Sequence, residues 1–233
     1  CGRRLHEDVG TLTPAVEMAL RLMTDGPVPL LLLAHQPICM PYDGVSAQHR
    51  LMNWIARQIP NAVAVQLVVD TDSSSERYFR SCRVPSPKSS KGYLTISPSA
   101  RLGQYPMCFP TALRPERVRS EVERAHVNLS EVAAEVERRT HISFRHDLDS
   151  LQRVVDDPLP ESLADFNTQC ISRLVNKEWS LPTVFVRHSD LLRSLASNVA
   201  ELAVQEERLR SIYELFGWSR QSAFYWVLCG QCG

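Results

Sequence analysis

The chain has 233 residues, of which 44% are hydrophobic and 22% are charged, so it can bury the core of one large domain or slightly more. Basic and acidic residues both total 26, and the formal net charge is zero. This balance argues against nucleic acid or an anionic membrane surface as the principal partner, because neither would be attracted electrostatically. We expect a small-molecule substrate, and the sequence leaves the oligomeric state open.

The sequence also predicts a cytoplasmic protein. It has no run near the roughly 20 apolar residues that cross a bilayer, and it does not start with a signal-peptide pattern. The seven cysteines are odd in number and scattered, unlike the dense even framework of a small secreted domain, so most should be reduced. The chain begins at Cys1 and stops at Gly233 within a motif-like segment, which we interpret as truncation at both ends.

Residues 1–25 predict an N-terminal helical segment whose beginning is truncated. Thr13 offers a hydroxyl that can cap a helix, and Pro14 suits the first helical turn. The apolar stripe that follows ends at Asp25 and Gly26, where a helix should stop.

Two uninterrupted apolar runs follow, at residues 28–34 (VPLLLLA) and 63–69 (VAVQLVV). Runs of this kind, bounded by Pro and Gly, are typical of strands buried on both faces of a parallel sheet. Residues 43–59 between them have helical spacing of apolar positions. The order strand, helix, strand predicts a right-handed crossover and two parallel strands.

Residues 78–84 and 92–96 are shorter strand-like runs separated by a Pro, Ser and Lys cluster, and they predict a hairpin at the sheet edge. Beyond residue 113 the pattern is mainly helical, with one further strand predicted at residues 183–187. The fold class is therefore α/β, with a Rossmann-like parallel sheet core, an edge hairpin and a largely helical C-terminal half.

We divide the chain into four parts. The N-terminal helical segment is followed by a Rossmann-like core over residues 26–113. Residues 114–228 form a helical region that returns one strand to the sheet. Residues 229–233 are a possible half zinc knuckle.

Polar residues follow each predicted parallel strand. His35 and Gln36 follow the first, and Asp70, Asp72 and Ser73 follow the second. Ligands of open parallel sheets bind just beyond the carboxyl ends of the strands, so these residues should converge. His35 suits phosphate binding or proton transfer, and the alternative is a histidine tied to a backbone carbonyl at a loop corner.

Asp70 and Asp72 flank one residue, a spacing that can hold a divalent cation with phosphate oxygens, or a substrate amine or hydroxyl. The alternative is a turn in which the carboxylates bond to backbone amides. We assign catalytic roles to Asp70, Asp72 and His35.

Other residues are candidates for binding a substrate or nucleotide. Gln36 and Ser73 lie beside the catalytic candidates, and Gly44 begins the helix that follows the first strand. His49 in that helix could reach the same edge, although a solvent-facing position is favoured by its charged and polar neighbours. His188 follows the third predicted strand.

Cys229 and Cys232 have the spacing of half a zinc knuckle, in which two thiolates supply half of a tetrahedral shell. The remaining two ligands would have to lie beyond the chain or come from elsewhere. The sequence has no Walker-type or dinucleotide-type glycine loop, which excludes P-loop ATP chemistry.

Three segments within residues 28–75 stand out: LLLAHQP, PYDGVSAQHRLMNWIA and VAVQLVVDTD. Together they resemble the core of the cysteine-adding ligase family of bacillithiol biosynthesis. The resemblance implies a nucleotide-binding fold, ATP or another nucleotide as cofactor, and ligase or nucleotidyl-transfer activity on a small polar metabolite. Two further hypotheses stand beside it. One is a metal-dependent transferase that uses Asp70 and Asp72 on a nucleotide sugar, and the other is a non-enzymatic module stabilised by zinc.

Overall fold

A computed structural model describes most of the chain, namely residues 1–40, 43–72, 77–86, 88–98, 107–108, 113–141, 159–160, 162–196, 198 and 201. Its architecture is α/β, with a three-stranded parallel sheet, an antiparallel hairpin and a largely helical C-terminal half, as the sequence predicts. Among these residues no helix has the length and apolar character needed to cross a membrane.

Strands and helices alternate between Leu30 and Pro85. The helices are α1 (Gly2–Asp8), α2 (Pro14–Asp25), α3 (Asp43–Ala56), α4 (Arg77–Arg80), α5 (Pro115–Thr140), α6 (Leu163–Arg173) and α7 (His188–Ser194). A π-helix, Leu174–Glu178, continues α6. The strands are β1 (Leu30–His35), β2 (Val63–Val68), β3 (Cys82–Pro85), β4 (Tyr93–Ile96) and β5 (Thr183–Arg187).

The parallel sheet has the order β1, β2, β5. Leu30 pairs with Val63 and His35 with Val68, while Val68 also pairs with Arg187 on the other side. The prediction that the two apolar runs are neighbouring parallel strands is therefore confirmed. All three strands end at the same edge of the sheet, because they run in the same direction.

The burial of β1 differs from the prediction. β2 is buried along nearly its whole length, but β1 alternates between exposed and half-buried positions. Leu30 and Leu32 are 53% and 64% exposed. The expectation that both apolar runs are buried on both faces is thus wrong for β1, because β1 lies at the edge of the sheet and is covered incompletely on one face.

The N-terminal helices pack along β5 and β2. Thr13 caps α2 as predicted, since its hydroxyl accepts a hydrogen bond from the backbone N–H of Val16 at 3.3 Å. In α1, the buried His6 uses Nε2 to accept a hydrogen bond from the backbone N–H of Phe185 at 2.9 Å. Its Nδ1 lies 2.8 Å from the hydroxyl of Thr11. The outer edge of β5 is therefore covered by α1.

The predicted hairpin is present, and its strands form their own two-stranded sheet. Cys82 pairs with Ile96 and Pro85 with Tyr93. This sheet packs on α5 rather than beside the parallel strands. A hydrophobic core joins it to α5 and α6, formed by buried residues that include Val84, Ile96, Val118, Val122 and Phe166.

Candidate functional site

The carboxyl ends of β1, β2 and β5 carry a group of polar side chains, which we call the strand-end rim: Gln36, Asp70, Thr71, Asp72 and His188. The side chain of Gln36 donates a hydrogen bond to Asp72 at 2.5 Å, which joins the exit of β1 to that of β2. The hydroxyl of Thr71 lies 2.7 Å from Nδ1 of His188, which joins the exit of β2 to that of β5. The structure thus brings together residues that the sequence placed on one edge.

The contacts of His35 determine its protonation pattern. Its Nδ1 lies 2.7 Å from the carbonyl oxygen of Gln36, and because a carbonyl only accepts, Nδ1 carries the proton. Burial lowers the pKa of His35, so the ring is neutral near pH 7 and its Nε2 is an acceptor. The interpretation of His35 as a histidine tied to a backbone carbonyl therefore describes one of its two nitrogens.

His49 completes a pair with His35. The two Nε2 atoms are 3.3 Å apart, and since Nε2 of His35 accepts, Nε2 of His49 is the donor. His49 is fully buried and its ring stacks on Phe185 with centroids 6.0 Å apart. The expectation of a solvent-facing His49 is wrong, because α3 turns this residue toward the sheet.

The pKa of His49 is lowered to about 3, first by burial and then by the proximity of His35. With Nε2 protonated, the lone pair is on Nδ1, and that buried atom has no hydrogen-bond partner among the residues that the structure describes. Moving a proton from His35 through His49 would place a charge on the buried ring, which is unfavourable. The pair is therefore a neutral, fixed unit at physiological pH.

Asp70 bonds to the start of α7. It is 2% exposed, and its two carboxylate oxygens accept hydrogen bonds from the backbone N–H and the hydroxyl of Ser189, at 2.9 and 2.5 Å. Both oxygens are thus engaged with the first turn of α7. This arrangement makes Asp70 a residue that holds α7 against β2.

Asp72 is exposed, and Gln36 beside it is partly exposed. Asp70 gives both of its oxygens to Ser189, whereas Asp72 accepts from Gln36, so the two carboxylates are engaged by different partners. Within the described ranges, no group of three or more His, Cys, Asp or Glu residues is placed to hold a metal ion. A divalent cation held by both carboxylates does not fit this arrangement.

Other predicted site residues occupy varied positions. Gly44 lies exposed in the first turn of α3. Ser73 falls outside the described residues, as do Cys229 and Cys232 of the predicted half zinc knuckle.

Sequence reasoning missed Ser189 and Arg187. The Arg187 side chain is 16% exposed and lies 2.5 Å from Asp165, 3.5 Å from Asp190 and 3.6 Å from Asp8. Burial opposes its charge, but these carboxylates outweigh that effect and raise the pKa of Arg187. The polar run after the third predicted strand was the available signal. It did not show which side chain pairs with which acid, since these partners are distant in sequence.

A separate cavity of about 640 Å³ lies between the hairpin and α5, lined by residues that include Leu94 and Val127. Its cations are paired, with Lys88 bridging to Glu131 at 2.6 Å and Arg124 to Glu121 at 2.6 Å. The cavity does not include any residue of the strand-end rim, and its balanced charges do not select a ligand.

The rim is therefore a polar edge built from three strand exits, with a neutral histidine pair behind it and a carboxylate, an amide, a hydroxyl and an imidazole toward the surface. The chain matches no protein-family model, and no curated protein shows significant similarity to it.

Proposed function

We propose that the strand-end rim binds a small polar metabolite together with a nucleotide phosphate, and that the protein is a cytoplasmic nucleotide-dependent ligase or nucleotidyl-transfer enzyme. The observation that carries this proposal is the pair of contacts that joins the three strand exits, from Gln36 to Asp72 and between Thr71 and His188. Ligands of open parallel sheets bind at this edge, where a few convergent polar groups fix their orientation.

The side chains of the rim suit such a ligand. Gln36, Thr71 and His188 are partly exposed and offer N–H or O–H donors that match phosphate or carboxylate oxygens. Asp72 offers an acceptor for a substrate hydroxyl or amine. A bound nucleotide such as ATP would supply the activated phosphate, and the resemblance of residues 28–75 to cysteine-adding ligases supports this reaction class.

In this proposal His35 acts from behind the rim. Its Nδ1–H holds the carbonyl of Gln36 and its Nε2 is engaged by His49, so the histidine pair fixes the peptide that carries the Gln36 side chain. His35 would contact a phosphate or transfer a proton only after exchanging its bond to His49.

The metal-dependent transferase has less support, since Asp70 gives both of its oxygens to Ser189. The zinc-stabilised module depends on Cys229 and Cys232, which are outside the described residues. No contact among the described residues favours either alternative over a nucleotide-binding enzyme.

The test is titration calorimetry with ATP and Mg²⁺. We expect His188→Ala and Gln36→Ala to weaken ATP binding by about tenfold or more each, because a hydrogen bond to a charged group contributes about 1.5–3 kcal/mol. The matched controls are His126→Ala on α5 and Gln58→Ala beyond the end of α3. Both are outside the rim and should bind ATP like the unchanged protein.

Two results would contradict the proposal. One is an unchanged protein that binds neither ATP nor another nucleoside triphosphate. The other is equal affinity in the rim variants and the control variants, which would move any nucleotide site away from the strand exits. Circular dichroism of each variant shows whether it remains folded.

A further inference from the structure

The sequence of β1 does not match its position in the sheet. Its residues, LLLLAH, are typical of a strand buried on both faces, yet among the described strands β1 pairs with β2 alone. Leu32 is 64% exposed and Leu30 53% exposed, and both project to the same face because they are two residues apart. This face of β1 is apolar and incompletely covered.

Helix α3 covers the other face of the strand. His49 and Met52 form part of its buried side. To one side of them, Arg50 lies over the ring of Trp179, 4.6 Å from its centroid, and Trp179 packs against the β5 side of the core. Leu51 is two positions, about 200°, from the buried His49, so it lies on the solvent-facing side of α3, where it is 57% exposed.

The two edges of the parallel sheet differ in how well they are covered. At the β5 edge, α1 covers the strand and His6 accepts the outward N–H of Phe185. At the β1 edge the strand contains no lysine, no proline and no break in its register with β2. Proteins usually protect an exposed edge with such features, and a long apolar edge without them is a site for pairing with another strand.

We propose that β1 is the surface through which two copies of this chain associate. A twofold axis beside the strand would pair β1 with β1 of the second copy in antiparallel order and form a six-stranded sheet. The edge is uncharged before His35 and is therefore compatible with itself. Leu32 near the middle of the strand would meet its counterpart.

The area of this surface sets the expected affinity of the dimer. A six-residue strand is about 20 Å long, so a strip of similar width presents on the order of 400 Å². A stable dimer buries about 800 Å² on each partner. We therefore expect a reversible dimer that forms in the micromolar range, and this inference does not depend on the proposed enzymatic function.

The test is sedimentation velocity of the whole 233-residue chain from about 1 to 100 µM. The expected result is a shift with concentration from the monomer mass of 26.4 kDa toward twice that value. Leu32→Lys places two like charges across the axis and should weaken association at least tenfold. Val127→Lys, which changes a residue 56% exposed on α5, is the matched control and should associate like the unchanged chain.

Hydrogen exchange of residues 30–35 provides the second measurement. We expect the outward-facing amides of β1 to become protected as concentration rises, and to remain unprotected in Leu32→Lys. A monomer at every concentration would overturn the proposal, as would a dimer that Leu32→Lys does not weaken. A monomer whose β1 amides are already protected would show that another part of the same chain covers the edge, which also overturns it.

Discussion

Acidification from pH 7 to pH 4 should lower the free energy of unfolding by several kcal/mol through two buried histidines. Burial lowers the pKa of His6 to about 4, and burial followed by the proximity of His35 lowers the pKa of His49 to about 3. An unfolded histidine has a pKa near 6.5. Between pH 6.5 and 4 the unfolded chain therefore binds protons that the folded chain does not, and folding stability falls as the pH falls.

The size of the stability loss follows from the difference between the unfolded and folded pKa values of each histidine. Each pKa unit corresponds to about 1.4 kcal/mol, so each histidine contributes about 2–3 kcal/mol by pH 4. Both rings contact Phe185, with centroids 6.0 Å away, so their contributions need not add. The stabilisation is fully present above pH 6.5.

Urea unfolding at intervals from pH 7.5 to 4 measures this dependence. His49→Gln and His6→Gln should each reduce the slope of stability against pH in that window, whatever their effect on stability at pH 7.5. Gln58→Ala, beyond the end of α3, removes no titratable group; it is the control and should keep the slope of the unchanged chain. If both core variants kept that slope as well, the buried histidines would not be its source.

Replacement of Asp70 by alanine should destabilise the protein by about 2–4 kcal/mol, because it removes the buried carboxylate that accepts two hydrogen bonds from Ser189. The backbone N–H and the hydroxyl of Ser189 would then lose their acceptor in a partly buried position. Asp70→Asn should recover part of the loss, since its amide oxygen can still accept one of the bonds. Urea unfolding at pH 7.5 gives the three values.

Asp72→Ala is the matched control, because Asp72 is exposed and its removal should cost less than about 1 kcal/mol. The comparison separates two roles at the rim. Similar losses for Asp70→Ala and Asp72→Ala would contradict the assignment of Asp70 as the residue that holds α7. A large loss for Asp70 alone would support it.

Local patterns were sufficient for the elements around the site. The Thr13 cap, the helix between the apolar runs and the strand before His188 are confirmed, because each depends on residues within a few positions of one another. Parallel order of β1 and β2 follows from the short helical connection. The convergence of Gln36 and Asp72 follows in turn, since parallel strands end at one edge.

These local patterns could not predict contacts between residues that are distant in the sequence. The pairing of Asp70 with Ser189 joins residues 119 positions apart, and the contact between His6 and Phe185 joins residues 179 positions apart. Helical spacing shows that residue 49 lies on one side of α3. It does not show that β5 supplies Phe185 for the His49 ring to stack on.

The sequence by itself determined which segments form strands and helices and at which edge of the sheet the polar residues meet, because periodicity and strand direction are local properties. Only the tertiary structure decided that β1 lies at the edge with exposed leucines, that His49 is buried, and that Asp70 is engaged by α7. The physical reason is that burial and hydrogen bonding depend on which elements become neighbours. That order is set by packing of the whole chain rather than by the spacing of residues within one element.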